Sequence, residues 1–138
     1  MVKHSIACIA FCNRKVLIAH RNPVGQMGGR WEFPGGKVEE GESYQNAIER
    51  EFEEEFGTKV KVFDLITEKK FVHSGTDFIL HAYRIEPART GEKEKYVLTE
   101  HTGYVWTSLD SIRGLNFVDS DLLIYPDVVS YAKKNGLC

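Results

Sequence analysis

The sequence predicts an α/β or α+β sandwich, a mixed β-sheet with helices packed on it, and three observations carry that prediction. β-prone runs interleave with two helical patterns along the chain. The 138 residues make about one domain's worth of chain, so residues 1–138 are expected to share a single core. Composition is that of an ordinary globular protein, with 42% hydrophobic residues and 18 Lys+Arg against 20 Asp+Glu, and neither repeats nor low-complexity segments interrupt it.

The same numbers exclude several classes of function. A net charge of -2 is wrong for a nucleic-acid binder that relies on bulk positive charge, and the hydrophobic content is wrong for wholesale disorder. The longest apolar-rich uncharged stretch, Ser5 to Asn13, is far shorter than the ~20 residues of a membrane-spanning helix, and it runs into Arg14 and Lys15 with no leader-type cleavage site. A cytoplasmic protein without a membrane partner is the expectation. Cys8, Cys12 and Cys138 form neither a C-x-x-C nor a Cys/His metal pattern and are read as free thiols, with Cys8 and Cys12 packed as small hydrophobes.

Taken in order, Ser5–Phe11 and Val16–Ala19 are strands joined through Asn13-Arg14-Lys15 as a hairpin. Asn22–Arg30, with Pro23, Gly25, Gly28 and Gly29, reads as an exposed mobile loop, and Trp31–Lys37 as a short extended piece ending in a Pro-Gly-Gly turn. Ser43 is placed to cap a helix that ends near Gly57. Lys59–Val72 and Phe78–Ile85 flank the turn signal Ser74-Gly75-Thr76-Asp77 and should pair antiparallel. Pro87–Lys95 reads as a flexible surface loop, and Gly103–Thr107 as a further strand. Asp119–Lys134 carries apolar residues at near-helical spacing, with Pro126 starting or kinking the helix.

Near-neutrality of the whole conceals a concentration of acid. Glu39–Glu55 holds eight glutamates and one arginine in 17 residues, leaving the other residues net basic. On a helix over residues 43–56, Ile48, Phe52 and Phe56 form one apolar stripe that should face the sheet. Glu51, Glu54 and Glu55 fall on the flank beside it, within reach of a common point, while Glu53 points to solvent. Like charges at these spacings destabilise an isolated helix by a few tenths of a kcal/mol each, approximately, so a bound hard cation such as Mg²⁺ or Mn²⁺ is the reading that explains them. The backbone of Gly35-Gly36 can come close to a metal or phosphate, with Lys37 adding positive charge.

Gly36–Thr58 also resembles a known motif. Its G-K-V-E-E-G-E-S-Y-Q-N-A-I-E-R-E-F-E-E-E-F-G-T is similar to the Nudix box, G-x5-E-x7-R-E-U-x-E-E-x-G-U, where U is a bulky aliphatic. Gly36, Glu42, Arg50, Glu51, Glu54, Glu55 and Gly57 match in register, whereas Phe52 and Thr58 depart from the aliphatic U positions. The preceding W-E-F-P-G-G-K is most similar to the MutT branch, and Ile18-Ala19-His20-Arg21, Glu100 before Trp106, and Asp121 in V-D-S-D-L-L-I match that branch more weakly. For the fold, the resemblance implies a Nudix-type α/β/α sandwich around a mixed β-sheet.

For function, the resemblance implies Mg²⁺-dependent hydrolysis of a nucleoside triphosphate to the monophosphate and pyrophosphate, with Mn²⁺ able to substitute and 8-oxo-dGTP or a related compound as substrate. Glu51, Glu54 and Glu55 are then the catalytic residues and, with Gly35 and Glu100, the metal ligands; Glu51 or Glu100 takes the proton from water. Arg21, Phe33, Lys37 and Asp121 would bind the substrate, and Arg50 with Glu42 would orient the acids. The partner is a small nucleotide rather than a nucleic-acid polymer, and monomer and homodimer stay open. Other readings are a Nudix hydrolase of a pyrimidine triphosphate or an ADP-ribose-like compound, and a non-catalytic nucleotide-sensing module. Asp121 has a plain alternative as a helix N-cap, and the five histidines, His101 included, default to packed or exposed positions.

Overall fold

The computed structural model describes residues 1–22, 28–91, 94–99 and 101–137. Seven strands and two helices follow in the order β1 (Val2–Cys12), β2 (Lys15–Arg21), β3 (Trp31–Glu32), β4 (Gly35–Lys37), α1 (Tyr44–Phe56), β5 (Val60–His73), β6 (Thr76–Pro87), β7 (His101–Thr107) and α2 (Asp119–Lys134). A 3-10 helix, Leu109–Gly114, precedes α2.

Both hairpins close through two residues of positive φ, Asn13 (51°) with Arg14 (63°), and Ser74 (50°) with Gly75 (77°). Backbone of that hand matches the twist of the flanking strands. β1 runs parallel to β6 over its length, from Val2 opposite Asp77 to Ala10 opposite Ile85, and β6 pairs antiparallel with β5, so the sheet is mixed. β1 and β2 are partners only beside their turn, at Phe11–Val16 and Cys12–Lys15. Beyond that they part, β2 taking β3 and β7 while β1 takes β4. The segment 31–37 thus fills the split hairpin, and the Cys8 amide donates to the Pro34 carbonyl across it at 2.7 Å.

This corrects the expected Pro-Gly-Gly turn. Gly35 and Gly36 are strand residues facing Ala7 and Ile6. The glycines serve close approach rather than turning, since a Cβ on Gly35 would run into the Ile6 carbonyl and one on Gly36 into the Glu51 carboxylate.

Alternation along β1 and β2 divides the core between the two faces. Ala7, Ile9, Val16 and Ile18 pack with Ile124, Val128 and Ala132 of α2 and with Ile112 and Phe117. Ile6, Cys8, Ala10, Leu17 and Ala19 pack with Ala47, Ile48, Phe52 and Phe56 of α1 and with Trp106. The sandwich is therefore α/β/α. Pro126 lies inside α2 instead of opening it, and so has no N–H to give the Leu122 carbonyl a turn back. Residues 23–27 of the expected mobile loop, 92–93 of the polar loop, Glu100 and Cys138 lie outside the described residues.

Candidate active site

Local sequence builds α1. The Ser43 side chain accepts from the Asn46 amide at 3.1 Å, Gly57 ends the helix in the left-handed region at φ 68°, and Ala47, Ile48, Phe52 and Phe56 are buried. With that stripe held on the sheet, the register of the charged flank is fixed. Arg50 lies at its centre. Its Nε donates to Glu42 Oε2 at 2.7 Å and its Nη2 to Glu42 Oε1 at 2.9 Å, a two-pronged pair, while Nη2 also reaches the Lys37 carbonyl at 3.1 Å. Nη1 donates to Glu51 Oε1 at 2.8 Å and lies 3.6 Å from Glu54 and 3.7 Å from Glu39. Hydrogen bonds from Arg50, then the Glu39 amide, bring the Glu42 pKa down to about 2. The Glu42 bonds in turn hold Arg50 above its ordinary value. Arg50 thus links the loop after β4 to the helix and aims Glu51 at the Gly36 backbone, where only a hydrogen leaves room.

Among the described residues the three helix acids take different partners, although Glu51 and Glu54 both lie against Arg50 Nη1. Glu54 is exposed, Glu51 is half-buried under β4, and Glu55 is buried and turned to the segment before β7. Glu55 Oε2 accepts from both the amide and the hydroxyl of Thr99 at 2.6 Å, and its Oε1 accepts from His101 Nδ1. The other ring nitrogen of His101 donates to Glu32 Oε2 at 2.7 Å, and Glu32 also receives Arg21 Nη1 at 3.2 Å. Burial works to lower the His101 pKa, but Glu32 and Glu55 outweigh it and raise it. No three His, Cys, Asp or Glu side chains among the described residues are grouped to hold a metal ion. The spacing argument put three carboxylates on one flank, and it held no sign that a distant histidine would bond to Glu55.

The second carboxyl feature is Asp121, and the helix-cap reading fails. Val118 stands at the N-cap of α2, with no side-chain cap bond, and Asp121 lies within the first turn. Its carboxyl is buried, accepting from the Phe33 amide at 2.9 Å. Burial first, then the Glu32 charge, pushes its pKa up to about 8. A neutral carboxylic acid both donates and accepts.

These features share one cleft of about 990 Å³, lined by Glu51, Glu54, Gly35, Gly36 and Lys37, by Arg21, Glu32, His101, Phe33 and Asp121, and by the β5–β6 hairpin from Phe71 to Ser74. Phe33 contributes from beneath, only 2% exposed and edge-on to Phe117. Phe71 stacks on Phe78 with ring centroids 5.2 Å apart, and Lys37 Nζ lies 6.0 Å from the Phe78 centroid. Glu32 lies in the quoted W-E-F-P-G-G-K without a role of its own there and His101 defaulted to a packed or exposed position, while Thr99 carried no pattern that set it apart. Neither did His4 and His81, which meet at 2.8 Å beside Tyr44 with Glu68 on the far nitrogen of His81. The side chain nearest Gly36 is the Glu51 carboxylate, which projects into the space the missing Cβ leaves, and oxygen donors of this kind fit a hard divalent cation.

Comparison with known proteins agrees with this architecture. The NUDIX domain family matches residues 2–127. A CTP pyrophosphohydrolase of Escherichia coli K12 is 35% identical over 103 residues, which is 75% of this chain and 73% of that protein. An 8-oxo-dGTP diphosphatase of Proteus vulgaris is 45% identical over 60 residues, 42% of this chain and 54% of that one. The solution structure of the E. coli ORF135 protein superposes with a TM-score of 0.79 at 26% identity, covering 94% of this chain and 89% of that one. With the box residues gathered around Arg50 and the family match spanning the sheet, α1 and the first half of α2, this chain belongs to the NUDIX family and is a Nudix hydrolase.

Proposed function

We propose that the protein hydrolyses a nucleoside triphosphate to the monophosphate and pyrophosphate, acting on free nucleotides of the cytoplasm rather than on a nucleic-acid polymer. The observation that carries this reading is one cleft holding two kinds of group. Acids beside Gly35 and Gly36, where a Cβ would clash, suit the phosphates and their cation, and the buried Asp121 carboxyl, its pKa raised by burial, suits a base edge. The volume of about 990 Å³ is at the upper end of small-molecule sites, which run to roughly 1,000 Å³.

Glu51 and Glu54, joined by Glu55, Glu100 and the Gly35 carbonyl, would hold Mg²⁺ or Mn²⁺. The cation would neutralise phosphate oxygens and lower the pKa of a bound water. The chain's residues supply the rest. Glu51, oriented by Arg50, accepts the proton of the attacking water, with Glu100 as the other candidate for that role. Lys37 and Arg21 bring positive charge to the phosphates from the two ends of segment 21–37. Asp121 pairs with the base while Phe33 supports it, the Phe33 amide fixing the carboxyl in place.

The 8-oxo-dGTP diphosphatase relative supports an oxidised purine, and the CTP pyrophosphohydrolase relative supports a pyrimidine. A carboxyl that donates and accepts can pair with a guanine or a cytosine edge. The test is purified protein with Mg²⁺ against a panel including 8-oxo-dGTP, dGTP, CTP, dCTP and ADP-ribose, with products identified. Monophosphate plus pyrophosphate from a triphosphate, abolished by EDTA, is the expected result. Preferential cleavage of ADP-ribose, or release of orthophosphate alone, would overturn the proposal.

A further inference from the structure

We propose that His101 is a positioning residue with two separable tasks, one nitrogen fixing Glu55 on the metal side of the cleft and the other fixing Glu32 and, through it, Arg21 on the substrate side. This rests on the proposed function for the identity of the two sides. Both ring nitrogens face carboxylate oxygens, Nδ1 that of Glu55 and Nε2 that of Glu32, so one ring bridges the two acids. Glu32, Glu55 and His101 are mostly or wholly buried, with side chains 16%, 11% and 9% exposed. A rigid ring hydrogen-bonded to both carboxylates in a dry place sets the direction of each.

The sheet makes the arrangement possible. β7 opens at His101, which stands opposite Arg21 of β2, and the register slips between His20 and Arg21. Such a slip re-aims a side chain. β3 pairs with β2 on Ala19 and His20, bringing Glu32 to the same edge. From the segment before β7 Thr99 gives Glu55 two more donors, its amide and its hydroxyl, so both oxygens of the Glu55 carboxylate are held. The result is a continuous line, Arg21 to Glu32 to His101 to Glu55, of charge-assisted hydrogen bonds between the two ends of the site.

Amide side chains separate the two tasks. The Asn amide nitrogen overlays Nδ1 of histidine, and the Gln amide nitrogen overlays Nε2. His101→Asn therefore keeps a donor for Glu55 and abandons Glu32; His101→Gln does the reverse. His101→Asn should raise KM about tenfold, with kcat and the dissociation constant for Mn²⁺ alone within about twofold of wild type. His101→Gln should leave KM within about twofold, lower kcat at least about tenfold and weaken Mn²⁺ binding at least about fivefold. Melting temperatures of both variants report folding. If the variants change KM, kcat and Mn²⁺ affinity in one common ratio, or match wild type in all three, His101 is only structural and the assignment is wrong. A wild-type protein that cleaves none of the panel would sink the proposed function instead, and Mn²⁺ binding by the two variants would still read the Glu55 task.

Discussion

Glu42 and Asp121 are two carboxyl groups treated in opposite ways by the two sides of the sheet. On the α1 side Glu42 is gripped by a guanidinium and a backbone amide, and its pKa falls to about 2. On the α2 side Asp121 is buried with one amide for company, and its pKa rises to about 8. The α1 side keeps its charges and spends an arginine on aiming them. On the α2 side burial disfavours the charge, and in the proposed function the same group would serve as donor and acceptor. A phosphate-and-metal end needs fixed negative charge, whereas a base edge needs polarity without charge.

The largest way to break the comparison is to remove what holds the α1 side in place. Phe52 is 1% exposed and stacks on Phe56 with centroids 4.5 Å apart. Truncation to Ala should cost on the order of 3 to 5 kcal/mol, seen as a large drop in the urea midpoint. An inactive Phe52→Ala protein with a normal midpoint would place the ring in the site instead of the core.

Next in size is a change that removes charge without touching the core. Glu54 is 63% exposed and only loosely paired with Arg50. Glu54→Gln should lower turnover about a hundredfold or more, roughly 3 kcal/mol of barrier, at an unchanged or slightly raised melting temperature. Turnover close to wild type would remove Glu54 from the metal side. Arg50→Lys keeps the charge and loses the fork that holds Glu42 and Glu51 together, and should cost about 1 to 3 kcal/mol in stability together with a loss of turnover. Equal stability and turnover would mean that charge alone, without direction, suffices there.

Legibility in the sequence followed the same divide. Everything on α1 lies within one helix and its lead-in, so the spacing of Ile48, Phe52 and Phe56 located the buried face, and Ser43 and Gly57 located the ends. The β-prone runs Ser5–Phe11 and Val16–Ala19 located β1 and β2, and both tight turns were marked by their residues. What the spacing missed was non-local. Glu55 and His101 are 46 positions apart, His101 and Glu32 are 69, and Phe33 and Asp121 are 88. Such contacts depend on sheet register, which a one-residue slip changes entirely. Gly35-Gly36 was misread for a related reason: a glycine pair signals a turn by local rules, and only the partner strand and Glu51 reveal that it answers to crowding.

The smallest and sharpest test of the comparison acts on Asp121 through pH. Its folded-state pKa of about 8 lies above the ordinary 3.8, so the folded protein holds a proton that the unfolded chain has released across that interval. Stability from this group is therefore fully present below about pH 4 and is lost as pH rises towards about 8, where it levels off. Asn has no proton to lose and still accepts from the Phe33 amide through its carbonyl oxygen. Asp121→Asn should consequently gain on wild type as pH rises, nearly level at about pH 4 and clearly more stable at about pH 8.5, measured by urea midpoints at both. Base selection should follow the same proton. In wild type the ratio of kcat/KM for 8-oxo-dGTP to that for CTP should change through about pH 8, while in Asp121→Asn it should stay flat. Asp121→Ala should shrink the ratio by about tenfold or more, the equivalent of about 1 to 3 kcal/mol. A stability difference that does not grow with pH would mean that Asp121 is ionised in the folded protein, and the contrast between the two sides of the sheet would be lost.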